Sequence, residues 1–186
     1  ARSSAILTGI GTVQADDPLL NVRAFPLARQ PTRIIIDSRL RIPAHAKLLA
    51  LPGKTWIACA APAGERAAAF AAAGVEILQL PNGRHEVDLS ALMQELARRE
   101  INEILVEAGA RLNGALLQQG LIDELVIYFA PHLLGADARG MFALMPLQSM
   151  TERLDLEIVD VRAVGVDWRM VANVKPVRGS GASLGT

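Results

Sequence analysis

Short apolar runs alternate with segments of helical spacing along most of the chain. Residues 33–37, Arg-Ile-Ile-Ile-Asp, form a β-branched run between Pro31 and a polar turn, and predict a strand. Residues 5–7, 55–60, 75–80, 103–106 and 124–129 carry similar short runs and predict further strands. Between them, residues 65–73 are alanine-rich and end at Gly74, which predicts a helix with a glycine stop. Asp88 or Ser90 is placed to cap a second helix running to about Arg99, with Leu89, Leu92, Met93 and Leu96 on one face. A third helix is predicted over residues 110–119.

This alternation predicts an α/β fold, with helices packed on a mostly parallel sheet. The strands at 33–37, 55–60, 103–106 and 124–129 are expected in that one sheet. The end of the chain differs. Residues 156–164 and 168–174 flank the short turn Gly165-Val166-Asp167 and predict an antiparallel hairpin, which makes the sheet mixed. The expected organisation is one domain over residues 1–175 and a flexible tail over 176–186.

Length and charge narrow the function classes. The chain has 186 residues, enough to bury a sizeable core. Its 19 basic residues balance 19 acidic ones, which argues against a strong nonspecific field for nucleic acid. Its apolar runs are all too short to cross a bilayer, so no membrane association is expected. Cys59 is the only cysteine; it excludes an intrachain disulfide and a cysteine-rich zinc site, and reads as a core residue on a strand. His45, His85 and His132 lack metal-ligand spacing, so no metal is expected, and no GxSxG elbow is present. A reducing cytoplasm is the expected compartment. Arg98-Arg99-Glu100 reads as a solvated helix end.

Candidate chemistry gathers in two stretches. In the first, Glu107-Ala108-Gly109-Ala110-Arg111-Leu112-Asn113-Gly114-Ala115 follows the apolar run Ile104-Leu105-Val106 and opens a helix. The first four N–H groups of a helix lack intrahelical partners, and the helix dipole is positive there, which suits a phosphate. The glycine spacing matches neither a dinucleotide fingerprint nor a P-loop, and an ordinary strand-to-helix turn packs glycines the same way. The second stretch runs from Thr8 to Arg23. Its Gly9 and Gly11 allow close backbone approach, Thr12 and Asp16 suit sugar hydroxyls, and Arg23 suits a phosphate. Read plainly, the same stretch is turn chemistry around Asp16-Asp17-Pro18 with a surface arginine. Ser38 ends the 33–37 strand, where ligands bind in open α/β sheets, and either touches a ligand or caps the turn.

Several separated motifs, in order, resemble the reductase domain of the bifunctional riboflavin-biosynthesis deaminase/reductase. They are Ala15-Asp16-Asp17-Pro18 with Leu20 and Arg23; Arg33-Ile34-Ile35-Ile36-Asp37-Ser38; Val106-Glu107-Ala108-Gly109 with Leu112 and Gly114; Asp123-Glu124-Leu125; and Tyr128-Phe129-Ala130-Pro131-His132-Leu133-Leu134-Gly135. The resemblance implies a dihydrofolate-reductase-like fold and NADPH-dependent reduction of the ribosyl group of 5-amino-6-(5-phosphoribosylamino)uracil to a ribityl group. It implies NADP contacts at Thr12, Asp16, Ser38, Gly109, Ala110, Arg111, Leu112, Asn113, Gly114 and Ala115. It implies substrate contacts at Leu20, Arg23 and Glu107, with Glu107 the candidate to polarise or protonate the reacting group. The cofactor itself brings the hydride chemistry. A deaminase domain in the parent protein and a homo-oligomer are the implied partners.

Deaminase chemistry is not expected in this chain, which lacks the His and two Cys of that zinc site. The resemblance also lacks the family domain's opening strand, so the chain reads as a fragment whose open sheet edge another chain or segment fills. Alone it is expected to be a poor reductase. Two other readings stand beside this one: a dihydrofolate-reductase-like reductase of another substrate, and a non-catalytic nucleotide-binding or assembly fragment. Titration with NADPH followed by turnover of the phosphoribosylaminouracil separates the three.

Overall fold

The computed structural model describes residues 4–23, 29–62, 64–135 and 137–175. The chain divides into two compact units, Ala1–Asn113 and Gly114–Thr186. The first unit is a five-stranded sheet in the order β4-β3-β2-β1-β5, every pair parallel. Its strands are β1 (Ala5–Gly9), β2 (Thr32–Ile36), β3 (Thr55–Cys59), β4 (Glu76–Gln79) and β5 (Ile104–Val106). Helices α1 (Ile10–Asp16), α2 (Glu65–Ala72) and α3 (Leu89–Arg98) connect them, and α4 (Ala110–Gln118) follows β5.

β1, β2 and β3 are almost continuously buried, as expected of parallel strands covered on both faces. Ile6, Ile35, Ile57 and Cys59 face one way and join Ile10 and Val13 of α1 and Ala67 and Phe70 of α2 in one apolar cluster. Ile34, Trp56 and Ala58 are buried in the opposite phase. Leu89, Leu92 and Leu96 of α3 are buried at helical spacing, and Arg99 lies 4.8 Å from the ring centre of Trp56. That contact fixes the end of α3 over the second face and corrects the reading of Arg98-Arg99-Glu100: Arg98 is solvated, but Arg99 stacks on the indole and pairs with Glu95 and Glu76. Asp88 caps α3, its side chain accepting from the Ala91 N–H at 2.9 Å.

Arg33 is 1% exposed, and among the described residues its side chain binds a hydroxyl and three carbonyls. Its Nε donates to Thr55 Oγ1 at 2.9 Å, and its terminal nitrogens donate to the carbonyls of Pro52, Leu51 and Gly53 at 3.0–3.1 Å. Satisfied donors make this burial tolerable and hold the turn before β3.

The second unit holds a three-stranded antiparallel sheet in the order β6-β8-β7, with β6 (Glu124–Phe129), β7 (Leu156–Val164) and β8 (Asp167–Val174). The hairpin forms as expected. The placement of residues 124–129 in one sheet with 33–37, 55–60 and 103–106 is corrected: β6 pairs with β8, over six register pairs. A strand's apolar pattern identifies it as a strand and says nothing about which edge it joins. Residues 103–106 also form a shorter and less buried strand than a core run implies, with Leu105 43% exposed. The tail 176–186 lies outside the described residues.

Gly114 on α4 meets the backbone of Ala143, where an added Cβ would stand 2.3 Å from the carbonyl oxygen. Glycine in a helix interior ordinarily costs stability relative to alanine. Here the sign reverses. Gly114→Ala is expected to lower the unfolding free energy by about 1–3 kcal/mol in urea titration; a stabilised variant would show that this approach does not exist.

Candidate active site at the carboxyl edge of the parallel sheet

In the order β4-β3-β2-β1-β5, successive strands β1 to β4 run outward on one side of β1, and β5 joins on the other. The strand order therefore reverses between β1 and β5. Connections leaving the carboxyl ends of two such strands part to opposite faces and open a crevice. Two hydrogen bonds hold the ends together there. The Glu107 N–H donates to the Leu7 carbonyl at 2.9 Å, and Thr8 Oγ1 donates to the Glu107 carbonyl at 2.6 Å. Thr8 is fully buried. Its hydroxyl therefore fixes the Glu107 main chain while the Glu107 side chain remains exposed. Sequence reasoning passed over Thr8, whose only signal was a hydroxyl at the end of an apolar run.

Gly109 stands at the start of α4. Its carbonyl accepts from the N–H groups of Leu112 and Asn113, both at 3.1 Å. The N–H groups of Ala110 and Arg111 come before any carbonyl one turn back inside the helix. The Asn113 amide donates to the Ala108 carbonyl at 2.9 Å and closes the turn, so this side chain shapes the helix start. A Cβ added at Gly109 would meet nothing within 4 Å, whereas one at Gly9 would stand 3.3 Å from Leu112 Cδ2. Gly9 thus serves close packing of β1 under α4, and Gly109 faces open space. Gly114 is buried and serves packing as well. Ala110, Leu112 and Ala115 are half-buried, and Arg111 is exposed.

The Thr8–Arg23 stretch contains an element that its glycines concealed: α1 begins immediately after Gly9. Thr12 is half-buried and Asp16 exposed on this helix. Asp17 ends it in the left-handed conformation at φ 42°, its carboxylate accepting from the Lys47 N–H at 2.9 Å. Asp17 is therefore turn chemistry. Leu20 also has positive φ, at 47°, and its side chain lies in the apolar cluster. Arg23 is exposed.

Ser38 follows β2. Its Oγ accepts from the Val87 N–H at 3.2 Å, and its carbonyl accepts from the N–H groups of Ala60 and Ala61. It joins three loops at the carboxyl edge. Beside it Asp37 is fully buried, and its Oδ2 accepts from the Ile42 N–H at 2.7 Å. Burial raises the Asp37 pKa, against backbone hydrogen bonds and the Arg41 charge. Arg66 of α2 donates to the carbonyls of Leu40 and Ile42, so the same loop is gripped from both sides. Burial, followed by the charge of Asp37, raises the Cys59 pKa and leaves this thiol a core group. An apolar groove lined by Ala44, His45, Leu49, Phe70 and Val75 lies against α2 near the amino end of β4, apart from this edge. Among the described residues, no cluster of three His, Cys, Asp or Glu side chains is arranged for a metal ion, and no helix is long and apolar enough to cross a membrane.

At this edge the ends of β1, β2 and β5 lie side by side, and Thr12, Ser38, Glu107 and Gly109 follow them in the chain. A family model described as the RibD C-terminal domain matches residues 1–170. The chain belongs to that family. It is 40% identical over 179 residues to the riboflavin biosynthesis protein RibD of Escherichia coli K12, covering 90% of this chain and 48% of that protein. It is 29% identical over 189 residues to the 5-amino-6-(5-phosphoribosylamino)uracil reductase of Buchnera aphidicola, covering 95% of this chain and 89% of that one. Among solved structures, Acinetobacter baumannii RibD superposes with a TM-score of 0.81 at 37% identity, over 93% of this chain and 47% of that one. The chain spans about half the length of the first curated relatives it matches. Membership agrees with the dihydrofolate-reductase-like α/β fold expected from the motifs.

Asp37 gives a measurable consequence. Its folded-state pKa lies above the ordinary value, so its contribution to stability is complete in acid and is lost as pH rises through the raised pKa. Asp37→Asn removes that titration while keeping an oxygen to accept from Ile42. The ratio of variant to parent stability is expected to rise from about pH 4 towards neutrality. Parallel pH profiles in chemical unfolding would contradict the raised pKa.

Proposed function

We propose that the chain is an NADPH-dependent reductase that converts the ribosyl group of 5-amino-6-(5-phosphoribosylamino)uracil to its ribityl form. The observation that carries this reading is the reversal of strand order between β1 and β5, with open space at Gly109 beside the start of α4. Bound NADPH supplies the hydride. Backbone N–H groups at Ala110 and Arg111 suit its phosphates, which the helix dipole also favours. Thr12, Asp16 and Ser38 lie on the elements leaving β1 and β2 and suit its hydroxyl and amide groups. In this reading Gly114 acts by packing α4.

The Buchnera relative is named for a substrate that carries a phosphate. Arg23 is the cation we assign to that phosphate, with Glu107 as a further substrate contact; Leu20, its side chain buried in the apolar cluster, contributes through its main chain. Glu107 is well suited to polarise or protonate the reacting group, because its main chain is held rigidly by Thr8 and Leu7 while its carboxylate stays accessible. A deaminase domain, a homo-oligomer and a cytoplasmic location complete the proposal. Among the described residues β5 pairs only with β1 and β6 only with β8, and Leu105, Val126, Tyr128 and Phe129 are 43–59% exposed. Open apolar edges of this kind are normally paired or covered.

Gly109→Val tests the cofactor placement. The open space at Gly109 lets the fold accept the side chain at a capping cost of about 1 kcal/mol. NADPH affinity is expected to fall markedly in fluorescence titration; an unchanged affinity with an intact fold would refute the placement. Arg23→Ala tests the phosphate contact. Since Arg23 is exposed, a loss near the low end for a charge pair is expected, about 2 kcal/mol or thirtyfold in substrate KM. NADPH affinity should hardly change. A variant that still distinguishes phosphorylated from dephosphorylated substrate as the parent does would make Arg23 an ordinary surface residue.

A further inference from the structure

The segment joining α1 to β2 takes a shape that its own residues disfavour. Leu20 has φ 47°, in the left-handed region that a leucine rarely adopts. Next to it, Asn21 Oδ1 is buried without a hydrogen-bond partner among the described residues. Such a segment persists only where its surroundings over-determine it. One restraint is the Leu20 side chain, held in the apolar cluster with Ile10 and Val13. The other is Gln30. The Val22 N–H donates to Gln30 Oε1 at 2.9 Å, and Gln30 Nε2 donates to the Val22 carbonyl at 3.1 Å. One side-chain amide thus makes the paired exchange that two antiparallel strands make at a hydrogen-bonded pair.

The Val22 carbonyl belongs to the planar peptide that links Val22 to Arg23. Gripping that carbonyl orients the plane from which the Arg23 main chain departs. Arg23 itself is exposed, on a long side chain with many rotamers, and presenting such a group to a ligand costs conformational entropy. A fixed root lowers that cost.

We propose that Gln30 is a positioning residue for Arg23: its amide locks the Val22–Arg23 peptide so that the guanidinium meets the substrate phosphate in one orientation. This rests on the reading of Arg23 as the phosphate-binding cation. Gln30 itself touches neither the phosphate nor the reacting atoms. Its effect is therefore confined to ligands that carry the phosphate.

The test is equilibrium titration of the chain with 5-amino-6-(5-phosphoribosylamino)uracil, with its dephosphorylated form and with NADPH. Gln30→Ala is expected to weaken the phosphorylated ligand about tenfold, the loss of two neutral hydrogen bonds, and to leave the other two affinities unchanged. Gln30→Glu adds a readout that a purely structural role would not move. Its neutral carboxyl can make both bonds to Val22, whereas its ionised form lacks the donor and sets a negative charge against the Val22 carbonyl. Its deficit for the phosphorylated ligand, relative to the parent at the same pH, is expected to shrink as pH falls from about 6 to about 4, through the ordinary glutamate range. If Gln30→Ala loses NADPH binding as well, it has unfolded, and the Gln30→Glu profile decides. Should both Gln30 variants keep the parent's preference for the phosphorylated ligand while Arg23→Ala loses it, Gln30 does not position Arg23. If Arg23→Ala keeps that preference, the phosphate reading itself fails, and the role of Gln30 falls with it.

Discussion

Thr8 donates its hydroxyl to the Glu107 carbonyl where the order of the parallel strands reverses, and the geometry of the carboxyl edge follows from that tie. β5 is three residues long and, among the described residues, pairs with β1 alone, so its backbone ladder is short. A buried hydroxyl at the end of β1 extends the connection by one bond into the turn that carries Glu107 and Gly109. Thr8 is fully buried, and a buried hydroxyl is costly to leave unpaired. The start of α4 and the Glu107 main chain are therefore held with the precision of the sheet, although both lie outside it.

Three glycines near this edge show how differently one residue type is used. Gly9 lets Leu112 settle over the end of β1, Gly114 admits the backbone of Ala143, and Gly109 leaves open space. Two serve packing. Only the third leaves room for a ligand at a helix start, which is why the phosphate reading falls on Gly109 and its neighbours rather than on every glycine of the motif.

Charged groups are buried at both ends of β2, and each organises a loop. At the amino end Arg33 satisfies its donors on three carbonyls and a threonine hydroxyl. At the carboxyl end Asp37 accepts from Ile42, while Arg66 binds carbonyls of the same loop. The first arrangement holds structure far from the crevice. The second holds the loop that begins with Ser38, so a raised carboxyl pKa and a candidate ligand contact are neighbours. Burial imposes the raised pKa, and the backbone hydrogen bonds limit it.

Much of this protein was legible in its residues. Apolar runs and helical spacing located most strands and helices to within a residue or two, because each element's periodicity is a local property of the chain. Charge balance and the scattered histidines argued against nucleic-acid and metal chemistry, and the lone cysteine ruled out an intrachain disulfide. The ordered motifs carried the family. Other features were decided only in three dimensions. α1 lay hidden behind glycines that suggest a loop, since Ile10 and Val13 become a helical face only when a core receives them. β6 joined β8 because strand edges offer the same hydrogen-bonding groups whatever their sequence, and only the assembled fold decides which edges meet. The grips of Thr8 on Glu107 and of Gln30 on Val22 were likewise invisible, because a side chain's partner across 99 or eight positions depends on where the backbone brings it.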